Sequence, residues 1–230
     1  MSKALVWDYP TRLFHWTLTA GFAAAFGLAL ATSHRSPWFP IHMLLGLALA
    51  WIVLLRVIWG VIGSRYARFA SFGYGPAALA KYLRGAATSN APRFVGHNPG
   101  SAYATYGILT LLLTTAGTGV LWSRGYEAGE ELHEISAWAL AAVVVAHILG
   151  VAWHSWRHRE NLAASMVTGR KEVADPDAGI AAARPWAAAA FAMLIAAFAT
   201  GLYRNYDQQT RDTHLPLIGT KIHLGEGEHH

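Results

Sequence analysis

Four of the chain's 12 histidines, His15, His42, His133 and His147, stand in or at the rim of long apolar stretches. Ionisable groups are costly in hydrocarbon and usually functional there. The chemistry imidazole offers is proton exchange near neutral pH or metal ligation through a ring nitrogen. His133 and His147 are separated by 14 residues, which on an α-helix returns to nearly the same face about 21 Å further along. In a chain that crosses a membrane back and forth, His42 and His133 fall in one leaflet and His15 and His147 in the other. Two sites of two imidazoles result, and two axial imidazoles per iron are what a six-coordinate b-type haem requires. Helix bundles build such sites from side chains on facing helices. A lone histidine of this kind is more often a satisfied interhelical hydrogen bond, but four at matched depths are harder to explain that way. His154 and His158, 7 and 11 residues beyond His147, stay near its face, and His154 is also reachable from His15 by depth. His147 is preferred because Val143, Val144, Val145, Ile148 and Leu149 surround it, where an unliganded imidazole costs most. His154 and His158 fall at the headgroup level.

Arg56 repeats the arithmetic, lying 14 residues after His42 and so aimed at the inner site. A cation in hydrocarbon needs a counter-charge. A haem propionate would supply one, and the alternative is snorkelling to the inner interface. His97, in His97-Asn98-Pro99, is placed to hydrogen-bond an inner-haem propionate, while Asn98 and Pro99 also read as a helix cap and first helical residue. Gly46, Gly117, Gly119 and Gly150 mark places for a flat macrocycle or for helix packing. Zero cysteines exclude disulfides, cysteine-ligated iron–sulfur clusters and thioether-attached haem, so any haem is non-covalent.

The elements that must position these residues follow from composition. With 54% hydrophobic and 13% charged residues, against about 25% charged in soluble domains, a water-soluble enzyme is disfavoured. Apolar stretches at 13–31, 39–62, 102–122, 133–155 and 185–203 are each near the length that crosses about 30 Å of hydrocarbon. The fold class is therefore all-α, a transmembrane helical bundle of five spans. The first stretch, flanked by Lys3 and Arg12 and ending Ala29-Leu30-Ala31, imitates a secretory signal but is read as a retained span. Lys3 and Arg12, the loop basics Arg65, Arg68, Lys81, Arg84 and Arg93, and Arg157, Arg159, Arg170, Lys171 and Arg184 share one side, twelve of the 18 basic residues. The positive-inside rule makes that side, and the N-terminus, cytoplasmic, and the C-terminus periplasmic. The basic, aromatic-laced loop 63–96 is read as headgroup-facing rather than as a nucleic-acid surface. The acidic connector 123–132 and the polar end from Arg204 on lie outside, the latter without helical period and read as a mobile terminus, with a docking surface for an outer redox partner as the alternative; its His214, His223, His229 and His230 carry little weight.

The run Trp7-Asp8-Tyr9-Pro10-Thr11-Arg12-Leu13-Phe14-His15-Trp16, then His42 with Gly46, Arg56-Val57-Ile58-Trp59-Gly60-Val61-Ile62-Gly63-Ser64, Gly96-His97-Asn98-Pro99, Leu132-His133-Glu134, His147, Glu160-Asn161-Leu162 and Met166-Val167-Thr168-Gly169-Arg170-Lys171 resembles the bacterial cytochrome b561 family and its hydrogenase b-type cytochrome relatives. The resemblance covers about residues 5–171. It implies a four-helix di-haem core with the fifth transmembrane helix outside it, two haem b groups held by His15, His42, His133 and His147 in a bacterial inner membrane, and electron exchange with quinone or a redox partner. The expected organisation is a di-haem domain 1–171, a cytoplasmic linker 172–184, the fifth helix 185–203 and a polar tail 204–230. The expected partners are the bilayer, quinone and a periplasmic redox protein such as a c-type cytochrome, with no nucleic acid. Rival readings are a superoxide-oxidising quinone reductase of the same scaffold, the membrane anchor of a hydrogenase-like complex, and a haem-free metal transporter.

Overall fold

The computed structural model describes residues 2–33, 35–88 and 92–225, so His229 and His230 lie outside the described residues. In chain order the elements are β1 (Ser2–Leu5), α1 (Tyr9–Ala31), α2 (Phe39–Ile62), α3 (Pro76–Thr88), α4 (Pro99–Ser123), α5 (Glu127–His158), α6 (Leu162–Thr168), β2 (Arg170–Val173), α7 (Pro185–Arg204), β3 (Asp212–His214) and β4 (Lys221–His223). Among the described residues α1, α2, α4, α5 and α7 are long and apolar enough to cross a membrane, and each contains one of the five expected spans. The chain is an all-α transmembrane bundle, 68% helical.

Three of the spanning helices, α1, α4 and α5, begin earlier than their apolar runs because polar residues cap or build their first turns. Asp8 caps α1, its Oδ1 accepting the Thr11 N–H at 2.8 Å. Asn98 caps α4 in the same way, accepting the Ser101 N–H at 2.8 Å with Pro99 as the first helical residue. Glu127 and Glu130 stand in the first turn of α5, and Arg157 and His158 in its last. Both ends match the helix dipole. Large apolar side chains such as Leu54, Val61, Ile62, Ile148 and Leu149 are exposed on the spans, as expected where the surrounding solvent is lipid.

The chain divides into two compact units. The first comprises Met1–His15, Arg56–Leu109 and Leu140–Ala188. In it β1 and β2 form an antiparallel ribbon, Ser2 opposite Val173 and Leu5 opposite Arg170. The Gly169 carbonyl accepts from the N–H groups of both Val6 and Trp7, and Trp7 Nε1 donates to Ser165 Oγ at 3.1 Å. Gly169 ends α6 with φ +77°, and a Cβ there would lie 2.8 Å from the Trp7 carbonyl oxygen. Only glycine meets both demands. The ribbon and α3 are additions to the expected fold; α3 occupies part of the basic loop 63–96.

The second unit comprises Trp16–Leu55, Thr110–Ala139 and Ala189–His230. Here α7 packs on α2: Trp51 stacks on Phe198 at 4.9 Å and donates through Nε1 to the Leu194 carbonyl at 3.3 Å. The expectation of a mobile tail is corrected as far as residue 225. β3 and β4 form a hairpin whose Thr213, Ile222 and Leu224 are buried. Thr213 Oγ1 donates to the Leu202 carbonyl, and Asp212 binds both Lys221 Nζ at 2.7 Å and His223 Nδ1 at 3.0 Å. Those two bonds, led by that of Lys221, hold the Asp212 carboxyl down at about 2. The polar composition hid two apolar anchors, Ile222 and Leu224, because a strand of three residues is too short for alternation to register.

Candidate functional site

In the second unit α2 carries His42 and α5 carries His133, with ring centroids 6.0 Å apart and planes at 80°. Each ring is tethered through Nδ1 to a backbone carbonyl of another helix: His42 to Ala25 of α1 and His133 to Thr115 of α4, both at 2.8 Å. A carbonyl only accepts, so Nδ1 holds the proton and Nε2 the lone pair, which is how metal-ligating histidines are commonly oriented. With imidazole–metal bonds of about 2 Å, two rings on opposite sides of one ion have centroids about 6 Å apart. The observed pair fits that requirement. Phe39 stacks on His42 and Trp122 leans on His133, closing the sides of the pair. A Cβ on Gly119 would lie 3.0 Å from His133 Nδ1, so this glycine admits the imidazole ring. Nothing lies within 4 Å of a Cβ built on Gly46, Gly117 or Gly150.

The first unit brings together His15 of α1, His147 of α5, Arg56 of α2 and His97. His15 and His147 are within electrostatic reach of each other, and His97 is within reach of both Arg56 and His147. His97 lies edge-on to Trp7 at 4.9 Å and against Phe72 at 4.2 Å. Burial first, and then the charges of Arg56, His147 and Lys171, push its imidazole down to about 3, so it is neutral. Arg56 is buried rather than extended to an interface: its guanidinium lies over Phe69 at 5.3 Å, and Nη2 donates to the Ala67 carbonyl at 3.2 Å. Two side-chain nitrogens of this group, His97 Nδ1 and Arg56 Nη1, are buried without a hydrogen-bond partner. Such atoms cost about 1–3 kcal/mol each, more when charged; the His97 ring gives its N–H to the Tyr66 backbone and keeps a lone pair at Nδ1, so it is the Arg56 cation with its free Nη1 donor that suits an anionic ligand. Asn98 and Pro99 act as the helix start, which leaves His97 for the site.

His154 is engaged elsewhere. Its Nδ1 meets the Tyr82 hydroxyl at 3.4 Å, its Nε2 lies 3.8 Å from Glu160, and its ring rests on His158 at 4.3 Å. Burial alone would raise the Glu160 carboxyl, but the His154 bond and Lys171, 3.6 Å away, outweigh it and hold it below the usual range. Burial lowers the Lys171 amine and raises the Tyr82 phenol.

Two supporting residues escape a reading that looks for ligands. Asp8 is fully buried and accepts from Trp59 Nε1 at 3.1 and 3.4 Å as well as from Thr11, within electrostatic reach of Arg56. The spacing Asp8-x-x-Thr11 ahead of an apolar run was a visible capping signal; the partnership with Trp59, 51 residues away, had none.

The family model for prokaryotic cytochrome b561 matches residues 6–169. The chain belongs to this family. The match contains all six candidate residues and stops before α7 and the hairpin. A protein of Bradyrhizobium diazoefficiens described as a probable Ni/Fe-hydrogenase B-type cytochrome subunit is 21% identical over 216 residues, covering 74% of this chain and 86% of its own. No solved structure matches. As a prokaryotic cytochrome b561, the chain is a multi-pass bacterial membrane protein, a b-type cytochrome of electron transfer whose family implies haem b. The tethered pair His42–His133 and the orphaned Arg56 donor in the unit of His15 and His147 both fit that group.

Proposed function

We propose that this cytochrome b561 holds two haem b groups per chain, one between His42 and His133 and one between His15 and His147, and passes electrons across the bilayer between quinone and a redox protein on the periplasmic side. The observation that carries the reading is the His42–His133 pair, whose spacing and carbonyl tethers suit two axial ligands of one iron. Bound haem iron supplies one-electron redox chemistry. The chain's part is to fix and tune: the Ala25 and Thr115 carbonyls orient the rings of His42 and His133 and raise the basicity of Nε2. Arg56 Nη1 would receive a propionate oxygen in the other site, the guanidinium fork matching a carboxylate, while the neutral His97 ring, bonded to the Tyr66 backbone, packs beside it. The engagement of His154 with Tyr82, Glu160 and His158 supports His147 as the ligand opposite His15. The loop basics and Lys3 and Arg12 all belong to the first unit, which supports a cytoplasmic N-terminus and a periplasmic hairpin.

The test is haem quantitation with a reduced-minus-oxidised spectrum on the purified protein. Two haems per chain are expected, with one lost in His42→Ala or His133→Ala and the other in His15→Ala or His147→Ala. A stoichiometry of one or none refutes the reading. The hydrogenase-type relative supports a second reading, a membrane subunit delivering electrons from a metal-bearing complex to quinone, for which co-purification of such subunits is the sign.

A further inference from the structure

α7 has 20 residues, about 30 Å of helix, and a bilayer's hydrocarbon core is also about 30 Å thick. The helix is therefore just long enough to span, and Gly201, three residues before its last residue, lies about 4.5 Å inside its end. The C-terminal hairpin does not stand away from that end. A Cβ on Gly201 would lie 2.8 Å from Pro216 Cγ, Asn205 Nδ2 donates to the His214 carbonyl at 3.0 Å, and Thr213 Oγ1 donates to the Leu202 carbonyl at 2.9 Å. The strands thus fold back along α7, and the connecting turn is carried down to the level of Gly201. That turn is ordered by its own backbone. The Gly219 N–H donates to the Leu215 carbonyl, the Leu215 N–H to the Thr220 carbonyl, and Gly219 adopts φ +65°. Its outer side chains are apolar: Leu217 is 65% exposed and Ile218 is 72% exposed, with Tyr203 of α7 71% exposed.

Large apolar side chains presented together on a rigid turn, beside the end of a spanning helix, have one partner at that depth, the acyl chains. We infer that the 215–220 turn inserts Leu217 and Ile218 into the edge of the bilayer, so that the hairpin is a membrane-seated cap on α7 rather than a segment in water. Met193 and Leu194 of the same helix are likewise exposed, and the exposed His214 at the base of the turn suits the headgroup level. Tyr203 belongs to the aromatic belt. The inference rests on the spanning fold alone and is independent of haem number and electron route.

The chain has no cysteine, so single-cysteine variants take one spin label each. Ile218→Cys, Leu217→Cys, the exposed mid-span Met193→Cys and the exposed tail residue Gln208→Cys are labelled in the full-length protein and reconstituted into phosphatidylcholine–phosphatidylglycerol vesicles. Collisional relaxation by oxygen, which partitions into lipid, is compared with that by a water-soluble nickel chelate. The oxygen-to-nickel ratio at 217 and 218 is expected to be several-fold above that at 208 and to approach that at 193. A ratio at both positions equal to that at 208 overturns the inference. So does shielding of both labels from both reagents, which would mean that protein, such as a second copy of the chain, covers the turn.

Discussion

Replacing Asp8 by alanine removes three interactions at once, seven residues before His15. The carboxylate is fully buried; it caps α1 through the Thr11 N–H, accepts the Trp59 indole N–H and stands within electrostatic reach of Arg56. Loss of an N-cap costs about 1 kcal/mol. A buried indole N–H left without an acceptor costs about 1–3 kcal/mol, and the buried guanidinium loses a counter-charge in the same direction. A total of about 3 kcal/mol follows, which in a chain of this size corresponds to a midpoint lowered by about 6–12 °C. The assay is thermal loss of haem absorbance from the purified protein, with the haem proposed for the His15–His147 site expected to leave first. Asp8→Asn keeps an oxygen for Thr11 and Trp59 and is expected to fall less than half as far. A midpoint in Asp8→Ala within about 2 °C of the native protein, well under the about 6–12 °C expected from the three losses together, would refute the reasoning.

Arg56→Gln is expected to lower one of two resolved haem potentials by on the order of tens of millivolts, taking an effective dielectric near 20, with Lys retaining part of the effect; two unmoved potentials in a redox titration would remove Arg56 from the site. His97 has its imidazole held down to about 3 by burial, against about 6.5 in an unfolded chain, so the folded state refuses a proton that the unfolded state takes. The stability this contributes is complete above about pH 6.5 and is lost progressively as pH falls toward 3, and in His97→Gln the acid loss of haem absorbance between these limits should be shallower; an unchanged slope refutes it. Removing residues 205–230 is expected to slow electron transfer to the outer partner with both haems retained, and stopped-flow rates unchanged by the deletion would exclude the hairpin from docking. His154→Ala should keep both haems, whereas loss of one, with both kept in His147→Ala, would reverse the ligand assignment.

The spanning helices were legible because lipid imposes a length and a composition that few other environments impose. Their ends were less so, since the first turns of α1, α4 and α5 are built by Asp8, Asn98 and Glu127 outside the apolar runs. The two ribbons were not legible. β1 and β2 are 171 residues apart at their outer pair, Ser2 and Val173, within a chain of 230, and a four-residue strand shows too few alternations to be told from a loop. What holds them is the turn at Gly169, whose role depends on Trp7, a partner that no local pattern names.

At the candidate sites, residue type and helical spacing reached the imidazoles but not what orients them. The number 14 places His133 and His147 on one face of α5 whatever surrounds them, because the helix repeat is fixed. The tethers to Ala25 and Thr115 are backbone carbonyls, and a carbonyl belongs to every residue, so no choice of amino acid advertises it. Gly119 is the partial exception: only a residue without Cβ lets α4 pass close to His133, yet glycines in spans also serve packing. Arg56 and His97 show the opposite case. Their side chains announce themselves in apolar surroundings, and the structure adds that Arg56 Nη1 and His97 Nδ1 are buried without partners. A polypeptide that leaves a donor of the buried Arg56 guanidinium unsatisfied loses stability unless an acceptor arrives, so an anionic group bound there, as proposed, would contribute to folding as well as to electron transfer.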